Sequence, residues 1–445
     1  MFPNPHDALP LPPRPSLEQY KKQAKDLVKA CRSDEVDGIR SWAAKWVETL
    51  ATLQGQAFTI QLRARMLAIV NEVAEFARCK LLSSDAGNAK CGLTDAQFVI
   101  ARLHGFTSWP KFAKHIEGLA RASSPVSQFE AATHAVVTGD VATLKRLLDE
   151  NPQLIRARST REHQATLLHY VSANGVEGYR QKTPNNAAKV AEILLQAGAE
   201  VDAEAQVYDG GATTLGLAAT SIHPEQAGVQ DRLMEILLEH GAAIDHRIGA
   251  GNQQCIVNSC LATGRRKAAE FLAKRGARLD LEGAAGVGRL DAVKSFFNDD
   301  GSLKANATKM QMERGFMWAC EYGRDSVVDF LLQKGVDLLA QANTGQTGLH
   351  WAVIGGQVET IRLLLARGAS LEALNSYGGT AQGQALWSAI NGDLHIDYVR
   401  TIETLLDAGA RVEDGSLAWF AEQERPRASL RAHVAEVLRR HGAKS

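Results

Sequence analysis

The chain has 445 residues, 45% of them hydrophobic and 22% charged, with 50 basic and 50 acidic side chains and no formal net charge. That hydrophobic content builds buried cores and excludes wholesale disorder, while the balanced charge excludes a protein that grips a polyanion through its overall field. Length alone allows about two to four ordinary domains or one elongated repeat array.

The opening stretch, MFPNPHDALPLPPRPSLEQY, puts prolines where a secretory signal needs an unbroken apolar core, and it lacks a positive leading segment. No run approaches the roughly 18 consecutive apolar residues of a membrane span. Residues 1–15 are expected to be a flexible terminus, with no membrane partner and a cytoplasmic location. From Ser16, SLEQYKKQAKDLVKACR predicts a helix capped by Ser16, with Leu17, Tyr20, Ala24, Leu27 and Val28 on one side. DEVDGIRSWAAKWVETL and IQLRARMLAIVNEVAEFARCKLL read as further helices, and LTDAQFVIARLHGFTSWPKFAKHIEGLA as two short ones broken at Gly105 and restarted near Ser108-Trp109-Pro110.

Residues 16–121 thus predict a helical module, and 122–128, within RASSPVSQ, a linker. Over residues 1–121 there are 17 basic and 12 acidic side chains, a lean rather than a patch. Ala101, four before Gly105, gives the break a faint likeness to a helix-turn-helix, with Lys111 and Lys114 toward phosphates. Trp109 and Pro110 stand where base-reading polar side chains belong, however. Trp109, Phe106 and Phe112 are therefore assigned to the module's core, and nucleic acid is not an expected partner. The six cysteines do not make a disulfide scaffold in so long a chain. Cys255 and Cys260 diverge by about 140° on a helix, and Cys31, Cys79, Cys91 and Cys320 are scattered, so reduced and mostly buried thiols are expected.

From residue 129 a unit repeats. Apolar pairs followed by a glycine recur as EILLQAGAEVD, EILLEHGAAID, EFLAKRGARLD, DFLLQKGVDLL, RLLLARGASLE, TLLDAGARVED and EVLRRHGAKS, with glycines at 198, 241, 276, 335, 368, 409 and 442. A compressed unit, GAAGVGRLDAVKSFFNDDG, fills the longest gap, and FEAATHAVVTGDVATLKRLLDENPQL precedes them all, for about nine units. In one unit, TGLHWAVIGG predicts a short helix opened by Thr347 and closed by a turn at Gly355 and Gly356. QVETIRLLLARG predicts a second, with Val358, Ile361, Leu364 and Leu365 on one face. Such a unit must stack on neighbours to bury that face.

Thr347-Gly348-Leu349-His350 and Thr166-Leu167-Leu168-His169 resemble the T-P-L-H signature of the ankyrin repeat, although neither has the proline, and CIVNSCLATG keeps neither threonine nor histidine. The resemblance covers residues 127–445. The segment from Leu167 and the helical module also resemble parts of bacterial ankyrin-repeat proteins. The resemblance implies an all-α chain: an ankyrin-repeat solenoid of about nine helix-turn-helix units with hairpin-like turns over 129–445, preceded by a small helical domain. It implies noncatalytic protein–protein interaction by a monomer without cofactor. A protein or peptide would lie in the concave groove, and the variable turn tips would set specificity. Two alternatives stay open: a nucleic-acid-binding or enzymatic N-terminal module that the repeats target, and an effector exported to act elsewhere.

No G-x-S-x-G, G-K-[ST] phosphate loop, H-E-x-x-H or C-x-x-C is present, so no enzyme is expected. His169 and His350 hold the signature position, where the imidazole bonds turn backbone, and GAAGVGRLD is read as an inner helix rather than a dinucleotide loop. The strongest binding signal comes from aligning units on the glycine that ends the inner helix. Five residues before Gly323, Gly356 and Gly392 stand Trp318, Trp351 and Trp387, and the same step back from Gly175 gives Tyr170. The column has two readings. Indoles about 10 Å apart would cover one another and stabilise the stack, or they would line the groove as an aromatic strip with Glu321 and Tyr322 as its polar rim. A second candidate is the insertion NGVEGYRQKTPNN, expected to expose Tyr179, Arg180 and Lys182.

Overall fold

The computed structural model describes residues 2–33, 37–53, 60–82, 91–208, 210–246, 255–341, 344–412, 415–423 and 428–443. It divides into two compact units, Met1–Ile256 and Val257–Ser445.

The first unit begins with α1 (Leu17–Arg32), α2 (Gly38–Leu53), α3 (Ile60–Leu82), α4 (Leu93–Leu103) and α5 (Trp109–Leu119). Tyr20, Ala24 and Leu27 are buried at helical spacing on α1 and share a core with Trp42, Trp46, Val73, Ile100 and Ile116. Tyr20 meets the rings of Trp46, His104 and Phe112 edge-on at 5.8, 5.2 and 4.8 Å. Phe106 and Phe112 are fully buried, and Trp109 packs against them. The break at Gly105 falls where expected, with φ +82, and Pro110 opens α5.

Four expectations for this region are corrected. The terminal residues 1–15 include a 3₁₀ turn, Pro5–Asp7, and the buried Leu9 donates its N–H to the Leu103 carbonyl at 2.7 Å. The proline-rich composition concealed this anchor. The linker at 122–128 is a cap: α6 (Pro125–Thr138) starts inside it, and the Ser124 hydroxyl accepts from the Ser127 N–H at 3.0 Å while donating to the Gly118 carbonyl at 2.6 Å. The helical module is not a unit of its own but shares one with everything up to Ile256. Cys31 and Cys91, 60 residues apart, are joined by a disulfide with Cα atoms 6.1 Å apart, because α1 packs on α4.

Helix pairs follow: α6 with α7 (Val141–Glu150), a 3₁₀ turn Leu167–Ser172 with α8 (Ala187–Gln196), and α9 (Thr214–Thr220), the short α10 (Ile222–Gln226) and α11 (Gln230–Glu239). Ahead of α9, β1 (Glu204–Ala205) pairs antiparallel with β2 (Ala212–Thr213), a hairpin-like turn as expected. From Ile256 the pairing continues with α12 (Ile256–Ala262) and α13 (Arg266–Lys274), α14 (Leu281–Gly286) and α15 (Leu290–Lys294), and α16 (Lys309–Glu321) and α17 (Asp325–Gln333). Then come α18 (Gly348–Ile354) and α19 (Val358–Ala366), α20 (Ala381–Asn391) and α21 (Tyr398–Asp407), and α22 (Ser416–Glu422) and α23 (Ala428–Arg440). From α14 onward one core runs through the pairs, taking Ala285, Phe316, Ala319, Leu349, Ala352 and Ala385 from the inner helices and Val328, Leu331, Ile361, Leu364, Ile402 and Leu405 from the outer. The turn tips at 247–254, 342–343 and 413–414, expected to carry specificity, lie outside the described residues.

Two glycines explain how the pairs repeat. Gly368 ends α19 at φ +90. Its N–H bonds to the Leu365 carbonyl and that of Ala369 to Leu364, both at 3.0 Å, a Schellman stop that only glycine enters without strain. The turn at Gly355 and Gly356 uses its two glycines differently. Gly355 has φ −77, an ordinary helical value, and the left-handed residue is Gly356 at +65. Gly355 is needed for close approach, since a Cβ there would stand 1.8 Å from the Glu321 carbonyl oxygen. Gly355→Ala is therefore expected to force α16 and α18 apart and destabilise by about 1–3 kcal/mol or more, read as a fall in the urea midpoint. An unchanged midpoint would show that the helices have slack.

Candidate functional site

The signature histidines act on backbone. His350 Nδ1 accepts from the Thr347 N–H at 3.3 Å, and its Nε2 donates to the Gly379 carbonyl at 3.1 Å. His169 repeats the arrangement with Thr166 at 3.1 Å and the Ala212 carbonyl at 3.3 Å. Burial lowers both imidazoles, His169 to about 4, so they remain neutral links between successive turns. GAAGVGRLD runs from α14 through the turn after it to the start of α15, the inner helix read from sequence. Among the described residues no cluster of histidine, cysteine or carboxylate side chains is arranged to hold a metal ion. No described helix is long and apolar enough to cross a membrane.

The three aligned tryptophans take equivalent places on consecutive inner helices: Trp318 on α16, Trp351 on α18 and Trp387 on α20. Each is held between buried residues, with Phe316 and Ala319, Leu349 and Ala352, or Ala385 and Ser388 two before and one after. Trp318 and Trp351 are half-buried, and Trp387 is 53% exposed. Trp318 rises beside Gly286, whose missing Cβ would stand 3.3 Å from the Trp318 Cβ. Trp351 leans on the core, and its indole N–H is buried without an acceptor.

The same frame recurs on α22, where Trp419 lies between buried Leu417 and Phe420 and is 41% exposed. Alignment on a closing glycine misses it, because α22 runs into Gln423 instead. The signal that finds it is the pattern of a buried residue, a spacer, tryptophan and a buried residue. Of the expected rim, Tyr322 is buried, donating its hydroxyl to the Leu261 carbonyl at 2.7 Å. Glu321 stays half-buried, and burial pushes its carboxyl up to about 7.

Tyr170 and the insertion go elsewhere. Tyr170 is fully buried and offers no surface to a partner. Arg180, expected to be exposed, has a side chain only 14% exposed and pairs with Glu130. The reason is a buried charge cluster that the sequence does not advertise. Arg161, 2% exposed, reaches Glu130 at 2.6 Å and the fully buried Glu177 at 2.8 Å, and Arg180 approaches Glu177 at 3.6 Å. Tyr179 places its hydroxyl 3.4 Å from Arg161, and the two guanidinium groups lie over the rings of Phe106, Tyr170 and Tyr179 at 5.5–5.9 Å.

Burial alone would raise both carboxyls, but the guanidinium groups prevail, holding Glu130 at about 2 and Glu177 well below the usual range. Two arginines against two glutamates leave the cluster without net charge. Its outer edge, Tyr179 and Arg180, lines a cleft of ≈ 1020 Å³ with His6, His134, Lys182 and His223. No single motif could reveal this cluster, since its members come from α6, the hairpin before Thr166 and the insertion.

Residues 284–415 match the family model of ankyrin repeats (3 copies), the stretch that contains Trp318, Trp351 and Trp387. That segment of the chain is therefore built of ankyrin repeats.

Replacing Arg161 by leucine would leave two buried carboxylates facing one arginine, and is expected to cost about 3–5 kcal/mol in urea unfolding. A milder loss would mean that water reaches the cluster. The pH dependence has a defined sign. Glu130 sits at about 2 when folded against 4.5 ordinarily, so its contribution is complete above the ordinary value and fades as pH falls toward the folded one. Thermal melts across that window should fall more steeply for the native chain than for Glu130→Gln. Parallel slopes would remove Glu130 from the acid response.

Proposed function

We propose that the nine helix pairs from α6 onward are nine ankyrin repeats acting as a noncatalytic, monomeric binding module inside the cell, with a protein or peptide partner laid along the inner-helix face. Ankyrin repeats generally mediate protein–protein interaction, and the match over 284–415 supports that class of function.

One observation carries the reading. Trp318, Trp351 and Trp387 recur at a single helix position, Trp419 extends the series, and the last two keep 53% and 41% of their surface exposed. Indoles lose little entropy on contact and bury large areas, which is why they dominate protein interfaces. A column held only for stacking would have its rings against each other. Among the described residues no ring contact joins these four.

The test uses the two most exposed members. Trp387→Ser with Trp419→Ser should leave the melting temperature near native, since exposed positions cost within about 0.5 kcal/mol, yet weaken capture of the partner from the native cell extract by at least about tenfold. Undiminished capture by a folded double variant would sink the groove reading. Loss of folding would return the column to a structural role.

A further inference from the structure

Beside the first of the tryptophans stands a half-buried carboxyl with no cation of its own. Helices α18 and α20, which carry Trp351 and Trp387, contain no aspartate, glutamate, lysine or arginine. On α16, Glu321 lies three residues beyond Trp318, so the two side chains share a helix face. Gly355, one turn after Trp351, presses against the Glu321 backbone at the 1.8 Å Cβ approach described above, which brings the Trp351 helix directly against the carboxyl's own turn.

The neighbours leave the Glu321 charge uncompensated. Among the described residues no lysine, arginine or histidine forms an ion pair with it. Arg324 is committed to Glu270 and, at 3.1 Å, to the Gly286 carbonyl. The Tyr322 hydroxyl donates to the Leu261 carbonyl and offsets the burial of the neighbouring carboxyl only in part, and that of Tyr398 donates to the Ile354 carbonyl at 3.0 Å. Arg314 stands seven residues earlier on α16, about 10 Å along the helix axis. A half-buried carboxylate without a counter-ion is costly, and indole faces attract cations, most strongly where water is thinned.

We propose that the site framed by Trp318 and Trp351 takes a cationic side chain, arginine or lysine, from an extended partner segment, with Glu321 as its counter-charge and the indoles as its walls. The inference rests on the groove reading. It makes the partner segment basic at the position that meets α16. Arg314 at the far end of the same face keeps a second basic side chain from lying parallel beside the first.

The pH response follows from the groups near the carboxyl, Tyr322 on its own helix and Tyr398 from α21. The tyrosines are raised by burial and stay neutral. Glu282, like Glu321, is pushed to about 7 by burial, so the profile must be read against a Glu321 variant. As pH falls through that value Glu321 takes up a proton, the counter-charge disappears and the cation should be released.

A random dodecapeptide library panned on the full-length protein at about pH 8 supplies the probe, keeping only peptides that the Trp351→Ser, Trp387→Ser variant fails to hold. These binders should share a basic residue, and replacing it by citrulline or norleucine should weaken binding at least about tenfold. Glu321→Gln should show the same loss with the unmodified peptide and no further loss with the neutral one. Native affinity should drop from about pH 8 to about pH 6 while that of Glu321→Gln changes less. Tryptophan-dependent binders that need no basic residue, or that bind Glu321→Gln as tightly as the native chain, would overturn the cation site and leave the groove standing. A library yielding no tryptophan-dependent binder would overturn both.

Discussion

A helix pair of this kind covers only one side of itself, and only the next pair can cover the other. Everything in the second unit follows from that constraint. Inner helices must approach until their backbones nearly touch, so the contact positions hold Gly286, Gly315, Gly348 and Gly355, where an added Cβ would strike the neighbouring helix. Outer helices supply the bulk, with Val328, Leu331, Ile361, Leu364, Ile402 and Leu405 in one core. On α16, α18, α20 and α22 packing leaves the tryptophan position at least partly uncovered. A residue placed there repeats at the stacking interval at no cost to the core. Tryptophan at that position on α16, α18, α20 and α22 is therefore surface that the architecture releases.

The first unit meets a different difficulty. Its second helix pair carries an insertion, and the first element of that pair shrinks to the 3₁₀ turn Leu167–Ser172. An apolar seal of regular shape is not available there. The gap is closed by Glu130, Arg161, Glu177 and Arg180, with the aromatic rings of Phe106, Tyr170 and Tyr179 around them. Buried ion pairs of this sort contribute little net stability compared with apolar packing, but losing one partner is severe. Their value is that only one arrangement satisfies all four. The insertion is thereby fixed to α6 and to the turn at Gly105 together, and the Glu162 N–H, donated to the Gly105 carbonyl at 2.9 Å, reinforces that registry.

What could be read in advance was local. The break at Gly105, the Schellman glycines and the histidine links depend on residues within a few positions of one another, and periodicity reports such features directly. Glu130 lies 31 residues from Arg161 and 50 from Arg180, so nothing near the insertion hints that its charges are buried. The sequence therefore offers Tyr179 and Arg180 as an exposed binding candidate, whereas the Arg180 side chain is only 14% exposed. The column was legible at Trp318, Trp351 and Trp387 because a glycine closes each of those inner helices in register, and Trp419 escaped because its helix lacks that mark. The disulfide escaped for the same reason as the ion cluster, since 60 residues separate Cys31 from Cys91.

Glu177 and Glu321 are the same side chain under opposite conditions, and the contrast gives the second its meaning. Glu177 is completely buried, yet two guanidinium groups hold it ionised. Glu321 keeps some contact with solvent but has no cation, and its carboxyl rises to about 7. Where the chain needed a buried carboxylate for its own structure, it brought the arginines from other elements. At Glu321, with Arg324 turned instead toward Glu270 and the Gly286 carbonyl, it did not. A carboxyl left uncompensated beside the first tryptophan, where stacking leaves the surface partly uncovered, is an incomplete ion pair whose missing half has to arrive from outside.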